Sequence, residues 1–170
     1  MNTVPDFEDI LALFAEFDVR YLIVGGLAFI FHAKPRYTKD IDLWIDASPD
    51  NVANVNRALS EFGSPSLIDA DDPDQILQLG NAPHRIDILR SVVELDFDRA
   101  WRRRITAPYG DAPANWIDLD GLLEIKSSID HPRHREDARV LKMVRDLRRS
   151  TDEGMDPPSG SGSGSGSNPR

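Results

Sequence analysis

One stretch of the sequence decides the fold: YLIVGGLAFIFHAKPRYTKDIDLWID, at residues 21–46. It opens with a short apolar, partly β-branched run, Tyr21–Val24, which predicts a strand that is stopped by Gly25-Gly26. The apolar residues that follow predict a buried helix over 27–33. Lys34-Pro35 ends this helix, because a residue that precedes proline disfavours helical backbone. The pattern is therefore strand, glycine turn, helix.

The end of the same stretch predicts a second strand with two unlike faces. Residues of opposite character alternate along it, with Ile41, Leu43 and Ile45 on one face and Asp40, Asp42 and Trp44 on the other. The side chains of Asp40 and Asp42 therefore leave the same face and can bind one hard cation. Without a cation, two carboxylates on a core strand raise the free energy through repulsion and desolvation. A bare Asp-x-Asp also fits a solvated strand end.

A third acidic residue lies on a later predicted strand. Ile76–Leu79 and Arg85–Leu89 read as two strands joined by the turn-rich residues 80–83, and Asp87 lies between apolar neighbours in the second. If this strand neighbours the first, three carboxylates converge and can bind two magnesium ions. A salt bridge between Asp87 and Arg85 explains the acid equally well.

Groups that could meet phosphate oxygens surround the acidic pair. Gly25-Gly26 leaves the backbone free to approach a phosphate, and the following helix N-terminus supplies amide donors. Arg36, Thr38 and Lys39 lie just before Asp40, where cations or a hydroxyl could contact phosphate. A plain turn and a solvated loop are the alternative interpretations.

The remaining patterns predict an α+β fold with a helical carboxyl-terminal part. An opening amphipathic helix has Asp6 as its predicted N-cap, and a helix from Ser48-Pro49 ends at Gly63. After Ser91 the sequence turns helical, followed by a strand over 115–119 and two helices over 120–129 and 133–149. We predict a core domain over 1–112, a helical part over 113–150 and a disordered Pro/Gly/Ser-rich tail over 151–170.

Composition narrows the class of protein. The length of 170 residues suits one domain with a core, and the absence of cysteine excludes disulfides, thiolate metal ligands and thiol nucleophiles. A net charge of −9 disfavours a protein that grips nucleic acid by bulk electrostatics. No secretory signal or bilayer-length apolar run is evident, so we expect a soluble cytoplasmic protein without a membrane partner.

The ordered set Gly25-Gly26, Asp40-Ile41-Asp42 and Asp87 resembles the nucleotidyltransferase superfamily of DNA polymerase beta. The most specific part is 32–42, and 78–89 looks like the strand that carries the third carboxylate. The chain is most similar to the small prokaryotic branch, which includes abortive-infection and toxin–antitoxin nucleotidyltransferases as well as antibiotic-modifying enzymes. The resemblance implies a polymerase-beta-like sheet with flanking helices.

The resemblance also implies roles for individual residues. By analogy, Gly25 and Gly26 line the nucleotide phosphates and Lys126 reaches them from the helical part. The metal, Mg²⁺ or Mn²⁺, is bound by Asp40, Asp42 and Asp87, and Asp87 helps to activate the acceptor hydroxyl. Two departures from the family pattern stand out: Leu27 follows the glycines where many members have serine, and residues 130–135 lengthen the segment after Lys126.

The implied reaction is transfer of a nucleoside monophosphate from a nucleoside triphosphate such as ATP to an acceptor hydroxyl. The acceptor is a tRNA end, a protein or a small molecule, and the enzyme is a toxin with an antitoxin partner in the leading interpretation. Two alternatives remain: a non-catalytic nucleotide-binding or toxin–antitoxin partner module, and an antibiotic nucleotidyltransferase.

Overall fold

The computed structural model describes residues 3–80, 82–93 and 95–153. From residue 154 onwards, the predicted tail lies outside the described residues, as does Asn81 of the predicted turn. In chain order the elements are α1 (Pro5–Glu16), β1 (Tyr21–Val24), α2 (Gly25–His32), β2 (Asp40–Ile45), α3 (Pro49–Phe62), β3 (Ile76–Leu79), β4 (Arg85–Leu89), α4 (Phe97–Arg102), β5 (Ile105–Thr106), β6 (Asn115–Trp116), α5 (Leu119–Ser128) and α6 (Pro132–Glu153).

The strands form one mixed sheet in the order β3-β4-β2-β1-β6-β5. β2 is parallel to β4 and antiparallel to β1, and β1 is parallel to β6. The two strands that carry the acidic residues are therefore direct neighbours. The predicted α+β class is confirmed.

Helices cover both faces of the sheet, as the alternation along β2 requires. Ile41, Leu43 and Ile45 pack in one core cluster with apolar residues of α1 and α3. Trp44 packs in a second cluster, on the other face, with residues of α5 and α6. Asp40 and Asp42 share the face of Trp44, so the helical part of the chain lies over the acidic face.

Several element boundaries differ from the sequence predictions. Val4, not Asp6, is the N-cap of α1, because Pro5 is well suited to the first helical position and leaves Asp6 in the first turn. α2 begins at Gly25 itself, so the glycines open the helix. The strand predicted over 115–119 ends at Trp116, because the Asp118 side chain accepts a hydrogen bond from the Gly121 amide and caps α5.

The last helix holds the end of α2 in place. Arg148 of α6 donates a hydrogen bond from Nη2 to the carbonyl oxygen of His32, at 3.2 Å. The buried His32 ring contacts the carbonyl oxygen of Ile117 through Nε2, at 2.7 Å. α6 continues to Glu153, so the predicted boundary at residue 150 falls inside a helix. The predicted division into core and helical parts near residue 112 stays a prediction.

Among the described residues, no helix combines the length and apolar character that crossing a membrane requires.

Candidate active site

Three acidic side chains share one face of two neighbouring strands. In the parallel pairing of β2 and β4, Asp42 is opposite Asp87, and Asp40 is opposite Arg85. Residues in register on parallel strands point to the same side of a sheet, so the three carboxylates and the guanidinium converge. Asp87 is buried, with 6% of its surface exposed, whereas Asp40 and Asp42 are half-buried.

The turn from β1 into α2 is fitted closely around Asp42. Gly25 has a φ of +67°, and a Cβ at this position would lie 1.9 Å from Oδ2 of Asp42. A Cβ at Gly26 would lie 2.8 Å from Oγ1 of Thr38. Both positions therefore need glycine, the first also because side chains rarely adopt that backbone conformation. The N-terminus of α2 thereby comes to the edge of the acidic face.

The surroundings of Asp42 destabilise its ionised form. Its pKa is raised to about 6 by burial and by the neighbouring charges of Asp87 and Asp40. A hydrogen bond from the Gly26 amide and the charge of Lys126 act in the opposite direction and are too weak to cancel this rise. Near neutral pH, Asp42 is therefore a carboxylate held in a poorly compensated position.

Arg85 forms the salt bridge that the sequence left as an alternative explanation for Asp87. Its Nη2 donates to Oδ2 of Asp87 at 2.9 Å, while Nε lies 2.8 Å from Oδ1. The same Nη2 lies 3.4 Å from Oδ2 of Asp40. One guanidinium therefore links two of the three carboxylates.

A buried ionic cluster stands opposite the acids. Asp137 of α6 accepts a short hydrogen bond from Nη1 of Arg36 and lies 3.1 Å from Nζ of Lys126. Lys126 and Asp137 are each 3% exposed. Arg36 also stacks over the Phe29 ring, with its guanidinium carbon 4.1 Å from the ring centroid. Two cations from different parts of the chain are thus held by one carboxylate, leaving a net positive cluster.

The pKa values of this cluster follow from burial and from the opposed charges. Burial lowers the pKa of Lys126, and the hydrogen bond and charge of Asp137 only partly offset this effect. Burial alone would raise the pKa of Asp137, but the hydrogen bonds from Arg36 and Lys126 keep it below its usual value. Burial and the Lys126 charge lower the pKa of His134, so its neutral Nδ1 can accept a hydrogen bond from Nζ of Lys126, at 3.3 Å.

A cavity of about 290 Å³ joins the two groups of charges. Its polar lining combines the glycine turn with both signs of charge: Gly25, Gly26, Arg36, Thr38, Asp40, Asp42, Lys126, Arg133 and His134. Its apolar wall is formed by Val24, Leu89, Val92, Ile125 and Ile129. Triphosphates need cations and amide donors, and hard metal ions need carboxylates, so this lining can accommodate both.

Seven of the predicted site residues line this cavity, and two do not. Among the described residues, Asp87 is absent from the lining because it is buried beside Arg85, although it shares the face of Asp42. Lys39 is exposed, and its backbone carbonyl accepts a hydrogen bond from the amide of Arg85. The roles predicted for all nine residues stay predictions.

The sequence predictions omitted three residues of α6 that belong to the site. Arg133 and His134 line the cavity, and Asp137 binds Lys126 and Arg36. Asp137 lies three residues after His134 and four after Arg133, spacings that place it beside both on one side of a helix, which was the available signal. The sequence of this strongly basic helix does not by itself indicate which of its sides faces the sheet.

The side chains of the acidic face have the chemistry that a divalent metal ion needs, but their arrangement suits one only in part. Carboxylate oxygens are the ligands that Mg²⁺ and Mn²⁺ take up, and Asp40 and Asp42 present them to the cavity. However, the described residues contain no group of three or more His, Asp or Glu side chains placed to hold a metal ion. Metal dependence, including the choice between Mg²⁺ and Mn²⁺, stays a prediction.

Solved structures share this fold. The lincomycin-bound lincosamide antibiotic adenylyltransferase LnuA aligns over 84% of this chain and 99% of its own, at 21% identity and a TM-score of 0.57. ANT(2")-Ia in complex with adenylyl-2"-tobramycin aligns over 88% and 97%, at 14% identity and a TM-score of 0.52. A candidate nucleotidyltransferase of Thermotoga maritima aligns over 89% and 96%, at 14% identity and a TM-score of 0.50.

The chain therefore has the nucleotidyltransferase fold. The polymerase-beta-like sheet with flanking helices, expected from the sequence resemblance, is confirmed at the level of the fold. No protein-family model matches the sequence, and no curated protein is similar to it by sequence.

Proposed function

We propose that this protein is a nucleotidyltransferase that transfers a nucleoside monophosphate from a nucleoside triphosphate to an acceptor hydroxyl. The observation that carries the proposal is the cavity in which the glycine turn, two carboxylates and the Arg36–Asp137–Lys126 cluster meet. A binding module without turnover would have no need for acids that raise one another's free energy beside a phosphate-binding surface.

The residues of the site have separate roles towards the triphosphate and the acceptor. Arg36, Lys126 and the amides of the glycine turn bind phosphate oxygens, and Arg133 adds a further cation at the rim. A divalent ion held by Asp40, Asp42 and Asp87 would supply charge stabilisation at the phosphate that is transferred. Asp87 stands on the acceptor side and takes up the hydroxyl proton.

The chemical step is an in-line displacement at the α-phosphorus of the triphosphate. A bond forms from the acceptor oxygen to the α-phosphorus, and the bond from the α-phosphorus to the bridging oxygen breaks. Pyrophosphate leaves with the electron pair of the broken bond, and the acceptor proton passes to a carboxylate of the site. The cation cluster neutralises the charge that grows on the leaving pyrophosphate.

A small hydroxylated molecule is the first acceptor to test. LnuA and the ANT(2")-Ia complex, both described in connection with antibiotics, share the fold over more than four-fifths of this chain. The net charge of −9 disfavours a large nucleic-acid partner. A tRNA end or a protein as acceptor, with a toxin role and an antitoxin partner, is the second candidate, and it is favoured by the motif resemblance at 32–42. A cytoplasmic location is part of both proposals.

The test is transfer of label from nucleoside triphosphates labelled in the α-phosphate. Wild type is incubated with Mg²⁺ or Mn²⁺ and with small aminoglycoside and lincosamide acceptors, total tRNA or lysate protein, in separate arms. We expect label in one arm, loss of at least about a hundredfold in Asp42→Ala, and no loss in Asp71→Asn, an exposed loop acid. Triphosphate binding without transfer in every arm would favour the binding module.

A second variant separates the acceptor side from the nucleotide side. Asp87→Asn should abolish transfer while the affinity for triphosphate, measured with a chelator so that no divalent ion is present, stays within about threefold of wild type, because Asp87 lies outside the cavity lining. Equal turnover by this variant would remove Asp87 from the site.

A further inference from the structure

The charge arrangement around Arg85 is more specific than a surface salt bridge. Nη2 of Arg85 donates a hydrogen bond to Oδ2 of Asp87 at 2.9 Å and also lies 3.4 Å from Asp40, while Nε lies 2.8 Å from Oδ1 of Asp87 without forming a hydrogen bond to it. Arg85 itself is 46% exposed, so its guanidinium enters the acidic face from the solvent side. The buried carboxylate of Asp87 thus obtains its counter-charge from a side chain that can leave.

The position of Arg85 is fixed by strand register rather than by chance contact. Arg85 and Asp87 are two residues apart on β4 and leave the same face, and Asp40 is the register partner of Arg85. A planar guanidinium at this place lies close to both oxygens of Asp87, hydrogen-bonds one of them and still contacts Asp40. Among the described residues Asp42 forms no ion pair, so one acid remains for other ligands.

The same arrangement explains why the acids do not form a ready metal cage. A metal ion that binds three carboxylates needs their oxygens turned towards one point. Here the oxygens of Asp87 are turned towards Arg85, and no group of three metal-ligating side chains is assembled among the described residues. A side chain with a single positive charge therefore contacts two of the carboxylates that a divalent ion would need.

We propose that Arg85 is a resident counter-ion of the acidic face, and that its guanidinium and a divalent metal ion compete for Asp87 and Asp40. Arg85 is a positioning residue in this scheme. It holds the Asp87 side chain in place and neutralises its charge until a metal ion displaces the guanidinium. The full metal site therefore assembles only when the ion arrives with enough binding energy, as it does when carried by a triphosphate. The inference rests on the proposed function in one respect, that a divalent ion is the ligand of this face.

Mn²⁺ binding to the full chain without nucleotide tests the competition directly. Free Mn²⁺ is read from its electron paramagnetic resonance signal during titration of wild type, Arg85→Met and Arg85→Lys. Arg57→Met is the matched control, because Arg57 is exposed on α3 and stacks on Phe17. We expect Arg85→Met to bind Mn²⁺ about tenfold more tightly, within the usual range of coupling between two binding events. Arg57→Met should match wild type.

Arg85→Lys distinguishes direct competition for the carboxylates from a general effect of the positive charge at position 85. Lysine keeps the positive charge, but its single nitrogen cannot lie close to both oxygens of Asp87 and to Asp40 together, so competition predicts a partial gain in Mn²⁺ affinity. Tight binding by Arg85→Met with wild-type affinity in Arg85→Lys would show that charge alone acts, and would overturn the proposal. If Arg85→Met does not fold, the lysine variant decides in the same way.

A double variant tests whether Asp87 is the carboxylate for which Arg85 and the metal ion compete. In an Asp87→Asn background, Arg85→Met should gain less than about a third of its single-variant effect, because the contested carboxylate is gone. An unchanged gain overturns the proposal. Failure of the proposed function is visible separately, because wild type would then transfer no label although the Mn²⁺ titrations remain interpretable.

Discussion

Asp42 and Asp87 stand directly opposite each other on two parallel strands that are neighbours in the sheet. Their side chains leave the same face, which places two like charges side by side in a partly buried location. A sequence that only required a stable fold would avoid this pairing, because it costs free energy whenever both groups are ionised. The folded protein therefore contains a local electrostatic strain that ligands can relieve.

Asp42→Asn should stabilise the metal-free protein at pH 7.5 and have little effect at pH 4. The folded pKa of Asp42, about 6, lies above its ordinary value of 3.8, so the folded state holds the proton more tightly than the unfolded state. The wild-type penalty is absent below pH 4, grows as the pH rises towards 6, and reaches about 2 to 3 kcal/mol above that. Urea unfolding of wild type and Asp42→Asn in the presence of a chelator measures this penalty as a difference in the free energy of unfolding. Asp71→Asn is the control, and equal pH profiles for wild type and Asp42→Asn would contradict the assigned shift.

Gly25→Ala should disrupt the site far more than the same change at Gly63. Both glycines have positive φ, +67° and +82°, so both alanines carry a backbone cost of about 1 kcal/mol or more. A Cβ at Gly63 meets nothing within 4 Å, whereas one at Gly25 collides with the Asp42 carboxylate. We expect Gly63→Ala to keep its triphosphate affinity and Gly25→Ala to lose at least about tenfold. Calorimetric titration with a non-hydrolysable triphosphate compares them.

Asp137→Asn should weaken both stability and nucleotide binding. The substitution removes the carboxylate that holds Arg36 and Lys126, leaving the buried Lys126 and the half-buried Arg36 without this partner. Breaking a buried pair of this kind costs about 3 to 5 kcal/mol. Asp146→Asn on the same helix is the control, since the Asp146 side chain is exposed and forms an ion pair with Arg145. Urea unfolding at pH 7.5 should separate the two variants, and equal midpoints would show that Asp137 does not hold the cluster.

Lys126 should make triphosphate binding sensitive to alkaline pH. Its folded pKa lies below the ordinary 10.5, chiefly because of burial, so its charge is lost at lower pH than that of an exposed lysine. The affinity for a non-hydrolysable triphosphate should therefore fall in wild type as the pH rises towards 10.5, before an exposed lysine would lose its charge. Lys126→Met should bind more weakly at pH 7 and show a flatter profile. A wild-type profile that stays flat up to pH 10.5 would exclude Lys126 from phosphate binding.

Much of the fold could be predicted from short-range pattern. The alternation over 41–45 gave the two faces of β2, and the apolar runs gave β3 and β4 with their observed bounds. Ser48-Pro49 and Gly63 marked both ends of α3 because proline suits a helix start and glycine adopts the left-handed conformation that ends a helix. These features depend on residues close together in the chain.

The parts of the site that could not be predicted depend on contacts between distant residues. Asp137 binds Arg36, 101 positions away, and nothing local indicates which acid of a charged helix turns inward. The bond between Arg85 and Asp87 could be named from sequence, but its link to Asp40 required the register of β2 against β4. The early end of β6 followed from Asp118 acting as a helix cap.

The contact between Arg148 and the carbonyl oxygen of His32 makes the last helix a brace for the glycine turn. α2 begins at Gly25, beside Asp42, and ends at His32, so it is anchored at both ends by groups from elsewhere in the chain. A truncation that removes the end of α6 would leave every cavity residue in place and still free the far end of α2. In shortened forms of the protein, the glycine turn at the start of α2 should therefore lose its fixed position before the sheet unfolds.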